Sequence, residues 1–383
     1  MIACLSSNCQ TSPSWSIEAA GFWTTPRARP YAARLPAPPT ERRCHGLPPP
    51  DTSQPVDGRC CDGIQPARPR QTKHRVVASC TLPRPEHQIA DPRFDRYKLG
   101  NTAIQRLYTS PDRLWNEGCV WNGVGRYVAF SGVPGNLQLR WIEDDQRVTV
   151  LRRPSGRTNG NPFDYRGRLV SCQHEHRRVV RYEHDGSKTV LAARFAGKRL
   201  NSPNDVVVHR SDDSIWFTDP NYGIIRNYTG YKAPVELPES VYRIDSVSGV
   251  LTKVTDDINR PHGHCFSPDL TQLYVSDTAA GAQPIQAWDV AGETLKNGRQ
   301  FASMKMQGYE KAGHSDEIRS DVDGNIWSSA GWVGAGYDGV HVFAPNGDRI
   351  GQIMLPEVCG NLCFGGSKRN RLFMADSQSL YAV

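Results

Sequence analysis

Six polar residues open six copies of a short repeat that begins near residue 110. In each copy a polar residue precedes a short apolar run, a turn follows eight or nine residues later, and a second apolar run comes after the turn. The opening residues are Glu117, Asn159, Asn204, His262, Asp316 and Asn361. A repeat that served packing alone would place small or apolar residues at this position. Carboxylate and amide oxygens that converge on one point instead suit a hard divalent cation and a hydroxylated ligand.

A simpler explanation of the same pattern is that Asn and Asp begin strands because they are common turn residues. That explanation is adequate for a single copy. It does not explain why Glu117 and His262 occupy the matching position in two other copies. We therefore expect the six opening side chains to face a common axis.

The turns of the repeat predict an all-β fold made of six similar sheets. They fall at Gly125, Gly167, Asp213, Thr271, Gly324 and Asn370, which are 42, 46, 58, 53 and 46 residues apart. This spacing is in the range of a propeller blade with variable loops. Alternating runs between the copies supply outer strands, and no long stretch has helical periodicity. The sequence thus predicts a six-bladed β-propeller, in which the innermost strand of every blade lines a central channel.

The first 90 residues differ in composition from the rest of the chain. They hold 14 of the 28 prolines, 6 of the 11 cysteines and eleven Lys/Arg against six Asp/Glu, a net charge of +5. This composition predicts a disordered Pro/Arg-rich tail over residues 1–90, which could also be an over-extended gene model. The propeller, a lactonase-like domain by the resemblance given below, is predicted over residues 91–383.

Composition also argues against several partners and locations. Most of the net charge of +7 lies in the tail, and the remainder has no basic patch interleaved with aromatics, so no nucleic-acid partner is expected. No apolar run reaches the roughly 18–20 residues that span a bilayer, and residues 1–15 lack a secretory signal, so no membrane partner is expected. The domain cysteines lie in apolar strand-like runs and predict buried thiols in a reducing, cytoplasmic location. They are Cys119, Cys172, Cys265, Cys359 and Cys363.

Four motifs occur in order along the second part of the chain. They are Glu117-Gly-Cys-Val-Trp, the run from Leu200-Asn-Ser-Pro-Asn-Asp to Tyr222-Gly-Ile, Phe266-Ser-Pro-Asp, and Asn361-Leu-Cys-Phe-Gly-Gly. Together they resemble the gluconolactonase/senescence-marker-protein (regucalcin-like) family from about residue 100 to the last residue. The resemblance implies a six-bladed propeller that hydrolyses a sugar lactone and holds one divalent ion, Ca²⁺ in the family, in its channel.

The resemblance also implies roles for individual residues. Glu117 would be a metal ligand, Asp316 both a ligand and the acid/base residue, and Asn204 would bind the substrate or water held by the ion. The family usually has its remaining ligand in Pro-Asn-Gly, whereas this chain has Pro261-His262-Gly263. The Asp316 segment departs as well, because Glu317 stands where Gly is expected. A His262 nitrogen suits Zn²⁺ or another transition metal better than Ca²⁺.

The chemistry expected of these residues is hydrolysis of a carboxylic ester bond. An ion held by Glu117, His262 and Asp316 would polarise the lactone carbonyl and acidify a water, and Asp316 would act as the base. The sequence leaves two other functions open. One is a non-catalytic propeller that binds a ligand or metal, and the other is a phosphotriester hydrolase on the same fold.

Three further residues are candidates for contact with the sugar hydroxyls. Asn159 and Asn204 offer amide donors and acceptors without adding charge. His174 follows the second strand of its blade and is a candidate at the channel mouth, with a structural histidine as the alternative. Asp205 and Asp219 are predicted to be turn or blade-bridging residues and not to catalyse.

Overall fold

A computed structural model describes residues 80–81, 87–100, 102–111, 115–279 and 284–383. Nearly all of the regular secondary structure in these residues is antiparallel sheet, and the sheets pack radially around a channel, which confirms the predicted six-bladed propeller. Residues 1–79 and 82–86 are outside the described residues, and the predicted disordered tail falls mostly on them.

Blades 1 to 3 follow one another along the chain, and the innermost strand of each comes first. Blade 1 consists of Asn116–Asn122, Tyr127–Gly132, Leu137–Ile142 and Arg147–Arg152. Blade 2 consists of Leu169–Gln173, Arg178–Tyr182 and Lys188–Ala192, with residues 158–164 hydrogen-bonded along its inner edge. Blade 3 consists of Val206–Val208, Ile215–Asp219, Ser240–Ile244 and Leu251–Thr255. A small hairpin of Arg194–Phe195 and Lys198–Arg199 lies between blades 2 and 3 in the sequence.

Blades 4 to 6 repeat this arrangement, and from the N-terminal side blade 5 gains one strand and blade 6 gains two. Blade 4 consists of Pro261–Phe266, Gln272–Asp277, Pro284–Ala291 and Thr294–Ser303. Blade 5 consists of His314–Ser320, Ile326–Gly331, Gly339–Phe343 and Arg349–Met354, with His87–Ile89 at its outer edge. Blade 6 consists of Cys359–Gly365, Arg371–Asp376, Ser379–Ala382 and Gln105–Thr109, with Cys80–Thr81 outermost.

Blade 6 closes the ring with strands from both ends of the domain. Gln105–Thr109 pairs with Ser379–Ala382, and the Tyr108 ring packs 5.9 Å from that of Phe130 in blade 1. The short strands from within residues 1–90 also pair with blades 5 and 6, so regular pairing begins before the boundary that the sequence predicts at residue 91.

Helical structure is sparse in the described part of the chain. It consists of the 3₁₀ helix Pro92–Tyr97 and the α-helical turn Tyr222–Ile225. No helix there is both long and apolar enough to cross a membrane.

The core lies between neighbouring blades, where alternate strand residues pack face to face. All five domain cysteines are buried and unpaired, which confirms the predicted burial of these thiols.

The innermost strands approach one another most closely at glycines that follow the opening polar residues. A Cβ on Gly118 would lie 1.8 Å from the carbonyl oxygen of Asn159 in blade 2. One on Gly263 in blade 4 would lie 2.4 Å from the Cα of Glu317 in blade 5. These gaps leave no room for a side chain, so backbone packs on backbone. The opening residues are thereby drawn together at one end of the channel.

This packing predicts that Gly118→Ala destabilises the protein far more than Gly186→Ala. Both glycines have positive φ, +54° and +86°, but only Gly118 has a neighbour within 4 Å of the added methyl group. We expect Gly186→Ala to lower the free energy of unfolding by about 1 kcal/mol, from the left-handed backbone alone. Gly118→Ala should lower it by about 2–4 kcal/mol, because overpacking adds to that cost. Urea unfolding measures both, and equal losses would contradict the close-packed channel.

Candidate functional site

The six opening side chains are all buried at the start of the innermost strands. The exposed fraction is at most 6% for each of Glu117, Asn159, Asn204, His262, Asp316 and Asn361. In blades 1, 4, 5 and 6 the strand pairing shifts register at this point, as it does in a β-bulge. A bulge re-aims side chains and ends regular pairing. The local irregularity is therefore repeated where the polar residues enter the channel.

His262 and Asp316, from blades 4 and 5, are in direct contact. The Nδ1 atom of His262 lies 3.0 Å from the Asp316 carboxylate oxygen Oδ1 and 3.0 Å from the Asp316 backbone oxygen. A backbone oxygen can only accept, so Nδ1 carries the proton and donates it. Burial lowers the pKa of His262 to about 3, which keeps the ring neutral. Only Nε2 of this ring is then left with a lone pair.

Glu117 faces the same channel from blade 1 and is held by two donors. The indole N–H of Trp115 donates to Oε1 at 2.7 Å, and the Asn361 amide donates to Oε2 at 3.4 Å. Burial raises the pKa of Glu117 to about 7. Burial, together with the nearby Glu117 carboxylate, raises the pKa of Asp316 well above its ordinary value. Among the described residues no Lys or Arg forms an ion pair with either carboxylate.

A second group of charges lies directly beside these carboxylates and is paired. The Arg319 guanidinium lies 3.4 Å from Asp205 and 3.3 Å from Glu317, and the backbone N–H of His264 donates to Asp205 at 3.1 Å. Burial opposes ionisation of Asp205, but Arg319 and then His264 lower its pKa below the ordinary value. Burial and Asp205 raise the pKa of Glu317 well above its usual range. Asp205 links blades 3, 4 and 5, which confirms its predicted bridging role.

Three buried polar atoms of the predicted substrate residues have no partner within the described chain. They are Oδ1 of Asn159, Oδ1 of Asn204 and Nε2 of His174. The other ring nitrogen of His174 lies 3.3 Å from the Thr229 carbonyl oxygen, and burial lowers the pKa of His174 to about 4. Buried polar groups are nearly always hydrogen-bonded in folded proteins. Orphaned atoms around one channel therefore indicate a place for a polar ligand.

No three His, Cys, Asp or Glu side chains in the described parts of the chain form a group arranged to hold a metal ion. The structure thus brings His262 and Asp316 into contact. Glu117 lies near enough for its negative charge to raise the pKa of Asp316. The donor chemistry still fits a hard cation, because two carboxylates without cationic partners and an unpartnered amide oxygen of Asn204 are present. The set of Glu117, His262 and Asp316 remains a prediction.

Sequence reasoning missed an aromatic group beside Glu117. The Trp115 ring stacks on that of Trp332 at 5.4 Å, and His314 packs edge-on against Trp332 at 4.7 Å. It also missed Arg319, which neutralises the second group of charges. Trp115 could have been noticed because it stands two residues before Glu117. Nothing in the sequence joins Trp332 to Trp115, which lies 217 positions earlier in the chain.

The elevated pKa of Glu117 predicts how the metal-free protein responds to pH. Its folded-state value of about 7 exceeds the ordinary 4.5, so the uncharged form is favoured on folding. This stabilisation is full below pH 4.5 and is lost as the pH rises through 7. With chelator present, raising the pH from 5 to 8 should lower the free energy of unfolding of the wild type by on the order of 2 kcal/mol more than that of Glu117→Gln. The variant should therefore be the more stable protein at pH 8. Urea unfolding at both pH values measures this, and identical pH profiles would contradict the assignment.

Three comparisons of this chain with known proteins, by family, by sequence and by structure, agree with one another. Residues 115–378 match the family described as the SMP-30/gluconolactonase/LRE-like region. A gluconolactonase from Zymomonas mobilis is 28% identical over 320 residues, covering 76% of this chain and 84% of its own length. The structure of a gluconolactonase from Xanthomonas campestris superimposes with a TM-score of 0.70 at 35% identity, covering 78% of this chain and 94% of the other.

A more distant structure shares the fold alone. It is the calcium-binding protein regucalcin from Agrobacterium tumefaciens, with a TM-score of 0.58 at 17% identity, covering 72% of this chain and 91% of the other. The family match extends over 264 residues (115–378), well over half of the 383. It spans all six innermost strands and confirms the resemblance found in the motifs. This chain belongs to the SMP-30/gluconolactonase/LRE-like family.

Proposed function

We propose that this protein hydrolyses a sugar lactone to the aldonic acid, with a divalent ion held at Glu117 and Asp316. One observation carries the proposal: two buried carboxylates share a channel and have no cationic side chain paired with them in the described chain. Buried charges are normally paired or bound to a metal. The activity agrees with the names of the Zymomonas mobilis and Xanthomonas campestris relatives.

The donor atoms available to the ion belong to four side chains. Glu117 and Asp316 would supply carboxylate oxygens, and Asn204 would supply the amide oxygen that lacks a partner. His262 would add Nε2, because its Nδ1 proton is donated to Asp316. When bound, a divalent ion would lower the pKa of both carboxyls, polarise the lactone carbonyl and increase the acidity of water. The oxygen donors suit Ca²⁺ or Mg²⁺, whereas the His262 nitrogen also suits Zn²⁺.

Asp316 would act as the general base. Its ionised carboxylate accepts one proton from the attacking water while the water oxygen bonds to the lactone carbonyl carbon. The ester C–O bond of the ring then breaks, and the departing alkoxide takes up the proton, which gives the open hydroxy acid. The His262 Nδ1–H group donates to the Asp316 backbone oxygen at 3.0 Å and lies 3.0 Å from the carboxylate, so His262 would help to hold Asp316 in position. Since burial keeps His262 neutral, it would do so without cancelling the charge of the base.

Asn159, Asn204 and His174 are proposed to bind the lactone hydroxyls. Oδ1 of Asn159 and Nε2 of neutral His174 are acceptors that lack a donor in the described chain, and Oδ1 of Asn204 has a second lone pair beside the one that would bind the ion. Sugar hydroxyls supply such donors. A site with unpaired acceptors favours a polyhydroxylated lactone over an apolar one, because the apolar ligand would leave these atoms buried and unsatisfied.

Asp316→Asn should keep the fold and lose activity, because it replaces the base with a near-isosteric amide. We expect kcat on glucono-δ-lactone to fall by roughly 10²–10⁴. Asp144→Asn, a change at an exposed hairpin carboxylate, is the matched control and should match the wild type. The assay is a pH-stat titration with several divalent ions, corrected for spontaneous ring opening. Full activity of Asp316→Asn would refute the proposed mechanism.

His262→Asn should change the preferred ion and leave the protein active. The substitution exchanges an imidazole for an amide oxygen, so the preference should move from transition metals toward Ca²⁺ or Mg²⁺. The measurement is the activity profile across Ca²⁺, Mg²⁺, Mn²⁺ and Zn²⁺ for both proteins. An unchanged profile would show that His262 is not a ligand. Wild-type protein that binds an ion but opens no lactone would favour the non-catalytic propeller.

A further inference from the structure

Trp332 has a backbone conformation that its side chain does not favour. It follows the second strand of blade 5, has φ of +67°, and leaves 42% of its surface exposed. A bulky residue in the left-handed region is uncommon and strained, and Gly would occupy the position without strain. Strain of this kind persists where the surrounding structure imposes it and is often found at functional sites.

The loop that carries Trp332 is fixed by other residues. The Asp338 carboxylate accepts the backbone N–H groups of Val333 at 3.1 Å and Gly334 at 2.9 Å. The buried Tyr337 hydroxyl accepts the Gly313 N–H at 3.0 Å and donates to the Met304 carbonyl at 2.5 Å. The loop therefore has anchors that do not involve the indole ring of Trp332, and its conformation does not explain why a Trp stands there.

The indole of Trp332 belongs to a wall that begins at the proposed ion site. It stacks on Trp115 with an interplanar angle of 29°, and Trp115 donates its indole N–H to Glu117. His314 packs against the same ring at 71° and lies in the strand that carries Asp316. We call Trp115, His314 and Trp332 the aromatic wall. It extends from the carboxylates toward the half-exposed face of Trp332.

We propose that the aromatic wall is a substrate subsite, and that Trp332 packs on the part of the lactone remote from its carbonyl. This inference rests on the proposed function. With the carbonyl at Glu117 and Asp316, ring substituents point away from the carboxylates and along the wall. Sugar rings and their side chains present C–H faces, which an exposed indole covers while their hydroxyls stay free to bond elsewhere. The subsite therefore selects lactones with a hydroxylated substituent over bare rings.

The test compares Trp332→Gly with Trp332→Phe on two substrates, glucono-δ-lactone and unsubstituted δ-valerolactone. Trp332→Gly relieves the strained backbone, so its melting temperature should equal or exceed that of the wild type. Its KM for glucono-δ-lactone should rise roughly 3- to 10-fold, while the KM for δ-valerolactone should rise less than about twofold. Trp332→Phe should recover most of the loss. Arg369→Gly relieves a comparable φ of +53° in a blade 6 turn and should leave both KM values unchanged.

Each other outcome overturns the inference. Equal KM changes on both lactones, or a fall in kcat together with the melting temperature, would mean that Trp332 only packs the loop. An unchanged KM for glucono-δ-lactone in Trp332→Gly, with an active wild type, would reject the subsite and leave the proposed function standing. If the wild type opens neither lactone, the proposed function fails. Calorimetric binding of gluconate then decides the subsite, with weaker binding to Trp332→Gly expected and equal binding contradicting it.

Discussion

The close approach of innermost strands around the channel is the constraint on which the site depends. At Gly118 and Gly263 the neighbouring backbone leaves no space for even a methyl group. Strands this close must direct their polar side chains into the channel, where Glu117, His262 and Asp316 are buried. A radial fold closed by strands from both ends of the domain holds that arrangement rigid. The same packing that stabilises the propeller thus brings ionisable side chains together in the channel, where they are buried from water.

The two groups of buried carboxylates in this channel differ in the side chains that pair with them. Asp205 and Glu317 share Arg319, which stabilises them as a structural unit across three blades. Glu117 and Asp316 receive only neutral donors in the described chain, and burial raises the pKa of both, as it does that of Glu317. Glu317 stands where the resemblance led us to expect Gly, and the Arg319 guanidinium lies 3.3 Å from its carboxyl group. The chain therefore compensates its unusual acid and leaves the proposed ligands free for an external cation.

The fold was largely predictable from the sequence, because turns at Gly125, Gly167 and their counterparts repeat at blade spacing. The innermost position of the opening residues followed from the same repeat. Contacts between segments distant in the sequence could not be predicted from the repeat. The sequence assigned His262 to the ion alone, whereas its Nδ1 proton is donated to Asp316 from the next blade. The stacking of Trp115 on Trp332 likewise depends on a loop whose conformation is set by Asp338, and periodicity carries no information on it.

The proposed cation site at the carboxylates of Glu117 and Asp316 is tested most directly by a crystal structure of the protein with Mn²⁺, with data collected for anomalous scattering. We expect one strong peak within about 2.0–2.6 Å of carboxylate oxygens of both residues and of the Asn204 amide oxygen. A peak bound elsewhere on the propeller, or a channel in which these carboxylates hold no ion at saturating Mn²⁺, would contradict it.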